Sequence, residues 1–211
     1  MTGFRKIICS QRGQSIIELG LALPLFLLLS LGAIEISNML NTYLVLTHLT
    51  REGANVASRE EPTTDPDCNL DCVMTVTIPA DLTAVIAAAS PVIKADNPGQ
   101  WTVIYSRIGP SLPLGDDGNP NDCPDSGGDY IILHQITNGG SGESSKIGTE
   151  CQLPENPTND GQTPADFWDS IGSGYTLHAV EVFYTYESIT PVGNFPGIDL
   201  GGEDFYERAI F

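Results

Sequence analysis

Apolar residues are concentrated in one run near the start of the chain. Within residues 15–34 almost every side chain is apolar, and Glu18 carries the single charge. An α-helix of this length rises about 30 Å, which matches the hydrocarbon core of a bilayer. The run therefore predicts one membrane-spanning helix.

The flanks of this run predict its orientation. A polar leader, residues 1–13, carries Arg5, Lys6 and Arg12, and no similar cluster directly follows the run. Because cationic residues stay on the cytoplasmic side, we expect the N-terminus inside and residues beyond about 40 outside. A cleaved secretory signal is the alternative. The run exceeds the length of about 7–15 residues usual for such signals, and no small-x-small cleavage site follows it.

The helical pattern continues beyond the predicted span. Apolar residues recur at helical spacing at Ile36, Met39, Leu40, Tyr43, Leu44, Leu46 and Leu49. A helix over residues 14–58 is about 67 Å long, so we expect its first half in a bilayer or filament and its second half under a folded domain. The acidic, proline-containing residues 60–67 then end it.

After residue 59 the pattern changes to short strands and two short helices. Alternating, β-branched or aromatic runs predict strands at residues 73–78, 101–108, 129–136, 176–187 and 205–211. Short helices are predicted at residues 80–90 and from Pro164, with Thr163 as the N-cap. A long helix on a mostly antiparallel sheet is an α+β fold.

Two long loops complete the predicted organisation. Residues 109–125 and 137–161 are rich in Gly, Pro, Asn, Asp and Ser, and we interpret both loops as surface decoration, although loops of this length are often functional. The sequence thus predicts a leader at residues 1–13, a helix at 14–58 and an α+β domain at 59–211.

Composition limits the partners. The 211 residues include 27 Asp and Glu against 9 Lys and Arg, a formal net charge of −18. Nucleic acid, or anionic lipid bound through a basic face, requires clustered cations, so the sequence predicts neither as a partner. Hydrophobic residues make up 41% of the chain, which is enough to build a core.

Four cysteines follow the predicted span, in addition to one in the leader. Cys68, Cys72, Cys123 and Cys151 form an even set on the outer side of the membrane, which predicts two disulfides. Three pairings are possible. We favour Cys68–Cys72 with Cys123–Cys151, because the second bond closes the long acidic loop region. A zinc site is the alternative, but the paired C-x2-C spacing is missing.

One acidic segment resembles a calcium loop. Asp117, Asn119 and Asn121 place oxygens at the first, third and fifth positions of an EF-hand-like loop. The sixth position is Asp122 instead of Gly, and the twelfth is Gly128 instead of Glu. A solvated acidic loop is therefore favoured over a metal site.

The sequence contains no convincing catalytic set. The histidines His48, His134 and His178 lack a ligand spacing such as H-E-x-x-H, and no G-x-S-x-G elbow occurs. The sequence therefore predicts neither an enzyme nor a bound cofactor.

Glu18 requires an explanation, because a carboxylate in an apolar span is costly. The cost is about 2.5–3.5 kcal/mol at mid-bilayer and less near the edge. A cut after Gly13 would turn Gln14 into a free amine. Positions 14 and 18 share one helix face, so this amine could pair with Glu18 in its own chain or in a neighbouring one.

These residues resemble a class III prepilin processing site, with a basic leader, a glycine before the cut, and Glu at the fifth mature position. More narrowly, the segment resembles the TadE-like family of minor pilins, or pseudopilins, of tight-adherence pili. The matching positions are Gly13, Glu18, Pro24, residues 25–31, Gly32, Glu35, Arg51-Glu52-Gly53-Ala54 and Ala57. Leu19 departs from the pattern, because these pilins usually carry an aromatic residue after the Glu.

The resemblance implies a pilin-like α+β fold and a structural function. It implies processing by a prepilin peptidase between Gly13 and Gln14, and an assembly role for Glu18. Pro24 removes one helical hydrogen bond, and two interpretations stay open: a kink without functional consequence, or an assembly role in which the helix melts locally. The implied partners are the major pilin, other minor pilins and the assembly platform of the bacterial inner membrane. The implied location is this membrane, with a periplasmic C-terminal domain, and then the pilus.

Two other functions stay open. One is a periplasmic binding domain that remains anchored in the membrane. The other is a type II secretion pseudopilin, although Gln14 replaces the Phe that typically begins such chains, and residues 51–54 favour the tight-adherence family.

Overall fold

A computed structural model describes residues 11–59, 80–90, 92–94, 97–110, 130–157, 162–171, 175–191, 194–195, 198–199 and 202–211. Its helices are α1 (Gln11–Ala57), α2 (Ala80–Ala88), a 3₁₀ turn (Pro98–Gln100) and α3 (Pro164–Ile171). Its strands are β1 (Trp101–Pro110), β2 (Tyr130–Gly139), β3 (Leu177–Thr185), β4 (Asn194–Phe195), β5 (Ile198–Asp199) and β6 (Asp204–Ile210).

The chain divides into two compact units. The first comprises Met1–Thr42 and Tyr186–Glu203, and the second comprises Tyr43–Thr185 and Asp204–Phe211.

The second unit is built on a four-stranded antiparallel sheet with strand order β2-β1-β3-β6. The four strands lie where the β-branched and aromatic runs predict them. A bulge between Arg107 and Ile108 shifts the register of β1 against β2. Together with the long N-terminal helix, this sheet confirms the predicted α+β class. The predicted strand at residues 73–78 lies outside the described residues.

One face of this sheet is covered by the C-terminal part of α1 and by α2. The buried residues of this core come from both helices, from the segment after α2, and from β1 and β3: Leu46, Leu49, Ala54, Ala57, Leu82, Ile86, Ala89, Ile93, Trp101, Val103, Tyr105, Val180 and Val182. At Gly53, α1 lies close to α2 and β3, because a Cβ there would lie 2.8 Å from Leu82 Cδ1 and 3.6 Å from Val180 Cγ1.

The apolar stripe expected along α1 is only partly its buried face. Leu46 and Leu49 are buried, whereas Ile36, Leu40, Tyr43 and Leu44 are exposed. The prediction is wrong at these four positions because hydrophobicity alone does not distinguish a surface that meets a sheet from one that faces outward. Buried α1 positions instead include polar or small residues such as Thr50 and Gly53.

The opposite face of the sheet is covered by α3 and by residues 140–157, which we call the strap. Ile147 of the strap is fully buried with Ile108, Ile132, Trp168 and Ala179. Cys151 N–H donates to Ile132 O at 2.9 Å, and Ile132 N–H donates to Gln152 O at 3.0 Å. The interpretation of residues 137–161 as surface decoration is therefore wrong for this part of the loop.

A buried carboxylate holds the strap in place. Glu181, at the centre of β3, accepts hydrogen bonds from Lys146 N–H at 3.0 Å and from the Tyr206 hydroxyl at 2.7 Å, and it also accepts one from the Ser145 hydroxyl. Burial and the Glu181 charge raise the pKa of Tyr206 above its ordinary value. The phenol therefore remains a proton donor to Glu181 at any physiological pH.

Helix α3 begins as its sequence predicts. The Thr163 hydroxyl accepts from Asp166 N–H at 3.3 Å and donates to the Asp166 carboxylate at 2.6 Å, so Thr163 is the N-cap and Pro164 the first helical residue. Trp168 anchors the helix because its buried indole N–H donates to Pro154 O of the strap at 2.7 Å.

The first unit contains the apolar half of α1. The side chains of residues 15–30 are exposed there, apart from Ala22, which is partly exposed. A short hairpin of β4 and β5, which the sequence did not predict, also belongs to this unit.

We predict that Gly53→Leu destabilises the second unit by about 1–3 kcal/mol, because the new side chain enters space held by Leu82 and Val180. The measurement is unfolding of the detergent-solubilised chain, followed by near-UV circular dichroism. Glu52→Leu is the matched control, since Glu52 is exposed one position away on the same helix. Equal losses in the two variants would contradict the close-packing role of Gly53.

Candidate processing and assembly site

The expected processing site lies at the start of α1. The described part of α1 begins at Gln11, so the bond between Gly13 and Gln14 lies near the start of the described helix. The rest of the predicted leader, residues 1–10, lies outside the described residues.

Glu18 lies one turn further along and is exposed on the helix. Because α1 is continuous from Gln11, positions 14 and 18 share one face as the sequence predicts. Pairing between a Gln14 amine and Glu18 requires the processed chain, so it stays a prediction.

Residues 15–57 form one helix that is long and apolar enough to cross a membrane, by length and composition. No residue of its most apolar window is buried within the structure. Its exposed large side chains include Ile16, Ile17, Leu19, Leu21, Leu23, Leu25, Phe26, Leu27, Leu28 and Leu29. In water this surface would be unfavourable, so it requires an apolar environment such as lipid or other helices.

Pro24 lies within this apolar surface without ending the helix. A proline has no N–H, so the carbonyl of Gly20, four residues earlier, loses its usual intrahelical partner. The sequence predicts a weakened turn here, and the structure places it in the exposed apolar part of α1.

Glu35 is a buried residue of the first unit whose carboxylate accepts three hydrogen bonds. Its carboxylate is fully buried, although it follows an apolar run of helix. Oε1 accepts from the Tyr186 hydroxyl at 2.8 Å and from Ile189 N–H at 3.2 Å, and Oε2 accepts from Thr190 N–H at 2.9 Å. Asn38 donates to the same Tyr186 oxygen at 3.0 Å, which completes the chain of hydrogen bonds.

These contacts make Glu35 an anchor for the segment that follows β3. Three donors directed at one carboxylate favour its ionised form. Two of the three donors are backbone N–H groups, whose positions are set by the turn at residues 188–190. Glu35 therefore fixes the backbone of this turn beside α1. The bonded residues are distant in sequence, because Tyr186 is separated from Glu35 by 151 positions and Thr190 by 155 positions.

Residues 51–54 divide into an outer and an inner pair. Arg51 and Glu52 are exposed, whereas Gly53 and Ala54 are buried. The small pair allows α1 to approach the sheet, and the charged pair lies on the accessible side.

The remaining predicted residues are only partly described. Cys151 is disulfide-bonded, and the other cysteines lie outside the described residues, so its pairing with Cys123 stays a prediction. Cys68 and Cys72 also lie there, as do the calcium candidates Asp117, Asn119 and Asn121. Within the part of the chain that the structure describes, no group of three or more His, Cys, Asp or Glu side chains could hold a metal.

The histidines are placed as structural or surface residues. His48 is exposed, and His134 Nδ1 lies 3.1 Å from Glu150 Oε1. His178 Nδ1 lies 2.7 Å from the Tyr105 hydroxyl. Burial lowers the pKa of His178, and the Arg107 charge lowers it further.

Residues 13–55 match the model of the TadE-like protein family. The match confirms the TadE-like resemblance over this segment. It begins at the glycine of the expected processing site and ends just after Gly53 and Ala54, so it lies within α1. No curated protein and no solved structure matched the chain.

Sequence reasoning missed the partners of Glu35. A lone carboxylate just after an apolar run indicates that donors must exist. Tyr186 lies at the end of the strand predicted at residues 176–187, where no feature marks it as a partner of Glu35. Ile189 and Thr190 follow that strand and bind Glu35 through backbone N–H groups, which leave no side-chain signature.

We predict that Glu35→Ala loosens the turn at residues 188–190, because a buried donor without an acceptor costs about 1–3 kcal/mol. Amide hydrogen exchange at Ile189 and Thr190 should become faster. Glu187→Ala is the control, since Glu187 is an exposed carboxylate of the same segment. Unchanged exchange at both amides in Glu35→Ala would show that this carboxylate is not the anchor.

We also predict that acidification destabilises the second unit. Unfolded His178 binds a proton near its ordinary pKa of 6.5, whereas the native ring does so only at lower pH. The unfolded chain then binds more protons, so the free energy of unfolding falls as the pH drops below about 6.5. His178→Gln should reduce this slope, as measured by urea unfolding at several pH values. A slope in His178→Gln equal to that of the unmodified protein would refute the assignment.

Proposed function

We propose that this chain is a minor pilin, or pseudopilin, of a tight-adherence pilus. It is processed by a prepilin peptidase, stored in the bacterial inner membrane and built into the pilus or its base. The observation that carries the proposal is the TadE-like match over residues 13–55, which covers the expected cleavage site and the exposed apolar surface of one continuous helix.

The physical properties of α1 support storage in a membrane followed by assembly. Its N-terminal half exposes apolar side chains that either lipid or neighbouring helices can cover. Because lipid and packed helices are similarly apolar, transfer between them need not expose this surface to water.

The proposal describes a structural protein with protein partners. The partners are the prepilin peptidase, the major pilin, other minor pilins and the assembly platform. The domain after α1 is periplasmic until assembly, where Cys123–Cys151 can form in an oxidising compartment. The second candidate is a domain that stays anchored in the membrane, which the exposed apolar helix supports equally well.

Processing gives the first test. Cutting after Gly13 leaves 198 residues (211 − 13) and removes Arg5, Lys6 and Arg12, so the formal side-chain charge becomes −21 (−18 − 3). Gly13→Leu should block the cut, because a peptidase site that fits glycine has no room for a larger side chain. Intact-mass measurement of the protein from cells reads this directly, and Gly3→Leu is the matched control. A mature N-terminus other than Gln14 would refute this processing.

Glu18 separates assembly from anchoring. Glu18→Ala should leave membrane insertion intact or improve it, because a charge is removed from an apolar span. Incorporation into filaments should fall, because the carboxylate is lost as partner of the Gln14 amine in a medium of low dielectric constant.

The measurement is the ratio of mutant protein in sheared filaments to that in the membrane fraction. Glu52→Ala, which removes an exposed carboxylate outside the apolar half of α1, is the control. Normal amounts of Glu18→Ala in filaments would contradict the pairing. Absence of the unmodified protein from filaments and their machinery would favour the anchored domain.

A further inference from the structure

We propose that the turn at residues 188–190 is a second membrane contact, in which Ile189 enters the outer interface of the bilayer. The inference rests on the proposed function, because it takes residues 15–34 as a membrane span. All residues that carry it belong to the first unit.

The level of the turn along α1 is fixed by Glu35. This residue directly follows the apolar run, so its Cα lies about 1.5 Å beyond the end of the span along the helix axis. Ile189 N–H donates to Glu35 Oε1 at 3.2 Å, and Thr190 N–H donates to Oε2 at 2.9 Å. The backbone of the turn is therefore held beside the predicted end of the span.

Ile189 is 61% exposed, although its own N–H group is bound to a fully buried carboxylate. The apolar surface of an isoleucine exposed in water stays hydrated, which gives no favourable free energy. The same residue at the edge of a bilayer removes that surface from water, which is favourable.

Continuity with the span identifies lipid as the occupant. Ile34 is 51% exposed and Ile36 is 56% exposed, one on each side of Glu35 in the sequence, so exposed apolar residues of α1 continue from the predicted span to the residue that holds the turn. The chain carries a formal net charge of −18, so the contact depends on apolar insertion and not on attraction to anionic headgroups.

Tryptophan quenching by brominated lipid tests the proposal in the full chain. Three single variants are reconstituted in phosphatidylcholine vesicles: Ile189→Trp, Phe26→Trp as the reference within the span, and Tyr175→Trp as the exposed reference of the second unit. Phe26 lies about 12 Å inside the end of the predicted span. The native Trp101 and Trp168 are buried, and the unmodified chain gives their background.

We expect the fluorescence of Ile189→Trp to be quenched most by lipids brominated near the carbonyl end of the acyl chain. Phe26→Trp should be quenched most by bromine near the terminal methyl group, and Tyr175→Trp should be unaffected by either. Quenching of Phe26→Trp without quenching of Ile189→Trp would overturn the lipid contact and leave the membrane span standing. Absence of quenching in both variants would overturn the proposed membrane storage as well.

A further substitution tests whether Glu35 positions the contact. Glu35→Gln keeps the size of the side chain but places an NH2 group against donors that need an acceptor. Added to Ile189→Trp, it should reduce quenching of the introduced indole, while quenching in Phe26→Trp carrying the same change stays unaltered. Glu187→Gln should reduce neither. Unchanged quenching of Ile189→Trp after Glu35→Gln would overturn the anchoring role.

Discussion

The approach of α1 to the sheet at Gly53 is the constraint on which the second unit depends. A side chain there would meet Leu82 of α2 and Val180 of β3, so one glycine sets the spacing of three elements. Once the helix lies this close, Leu46 and Leu49 can reach the core that β1 and β3 provide. A glycine inside a helix costs roughly 0.5–1 kcal/mol relative to alanine, which the burial gained by close packing offsets.

Two buried glutamates solve the same physical problem in the two units. Glu35 on α1 and Glu181 on β3 are each fully buried, and each binds one tyrosine hydroxyl and at least one backbone N–H of an irregular segment. Irregular backbone next to a core leaves N–H groups without helix or strand partners, and an ionised carboxylate accepts several of them at once. Burial of each carboxylate carries a desolvation cost, and the hydrogen bonds that the carboxylate accepts fix the geometry of the adjacent irregular segment.

The sequence predicted the regular elements well because periodicity and capping are local signals. The four strands of the sheet, the Thr163 cap and the end of α1 near residue 58 are all readable from short windows. The strap and the Glu35 anchor were not predictable, because they join residues far apart in sequence through backbone groups. The outward apolar positions Ile36, Leu40 and Leu44 were misread because a hydrophobic pattern identifies a face but not the surroundings of that face.

The segment that matches the TadE-like model, residues 13–55, contributes one side of the contacts made at Glu35 and Gly53. It supplies an apolar surface, the carboxylate of Glu35 and the small residues Gly53 and Ala54. The other side comes from residues outside the matched segment, whose backbone N–H groups bind Glu35 and whose aliphatic side chains lie against Gly53. Because any residue except proline provides a backbone N–H group, the contact at Glu35 places few demands on the sequence of the turn, which is why the turn carries no pattern that predicts it.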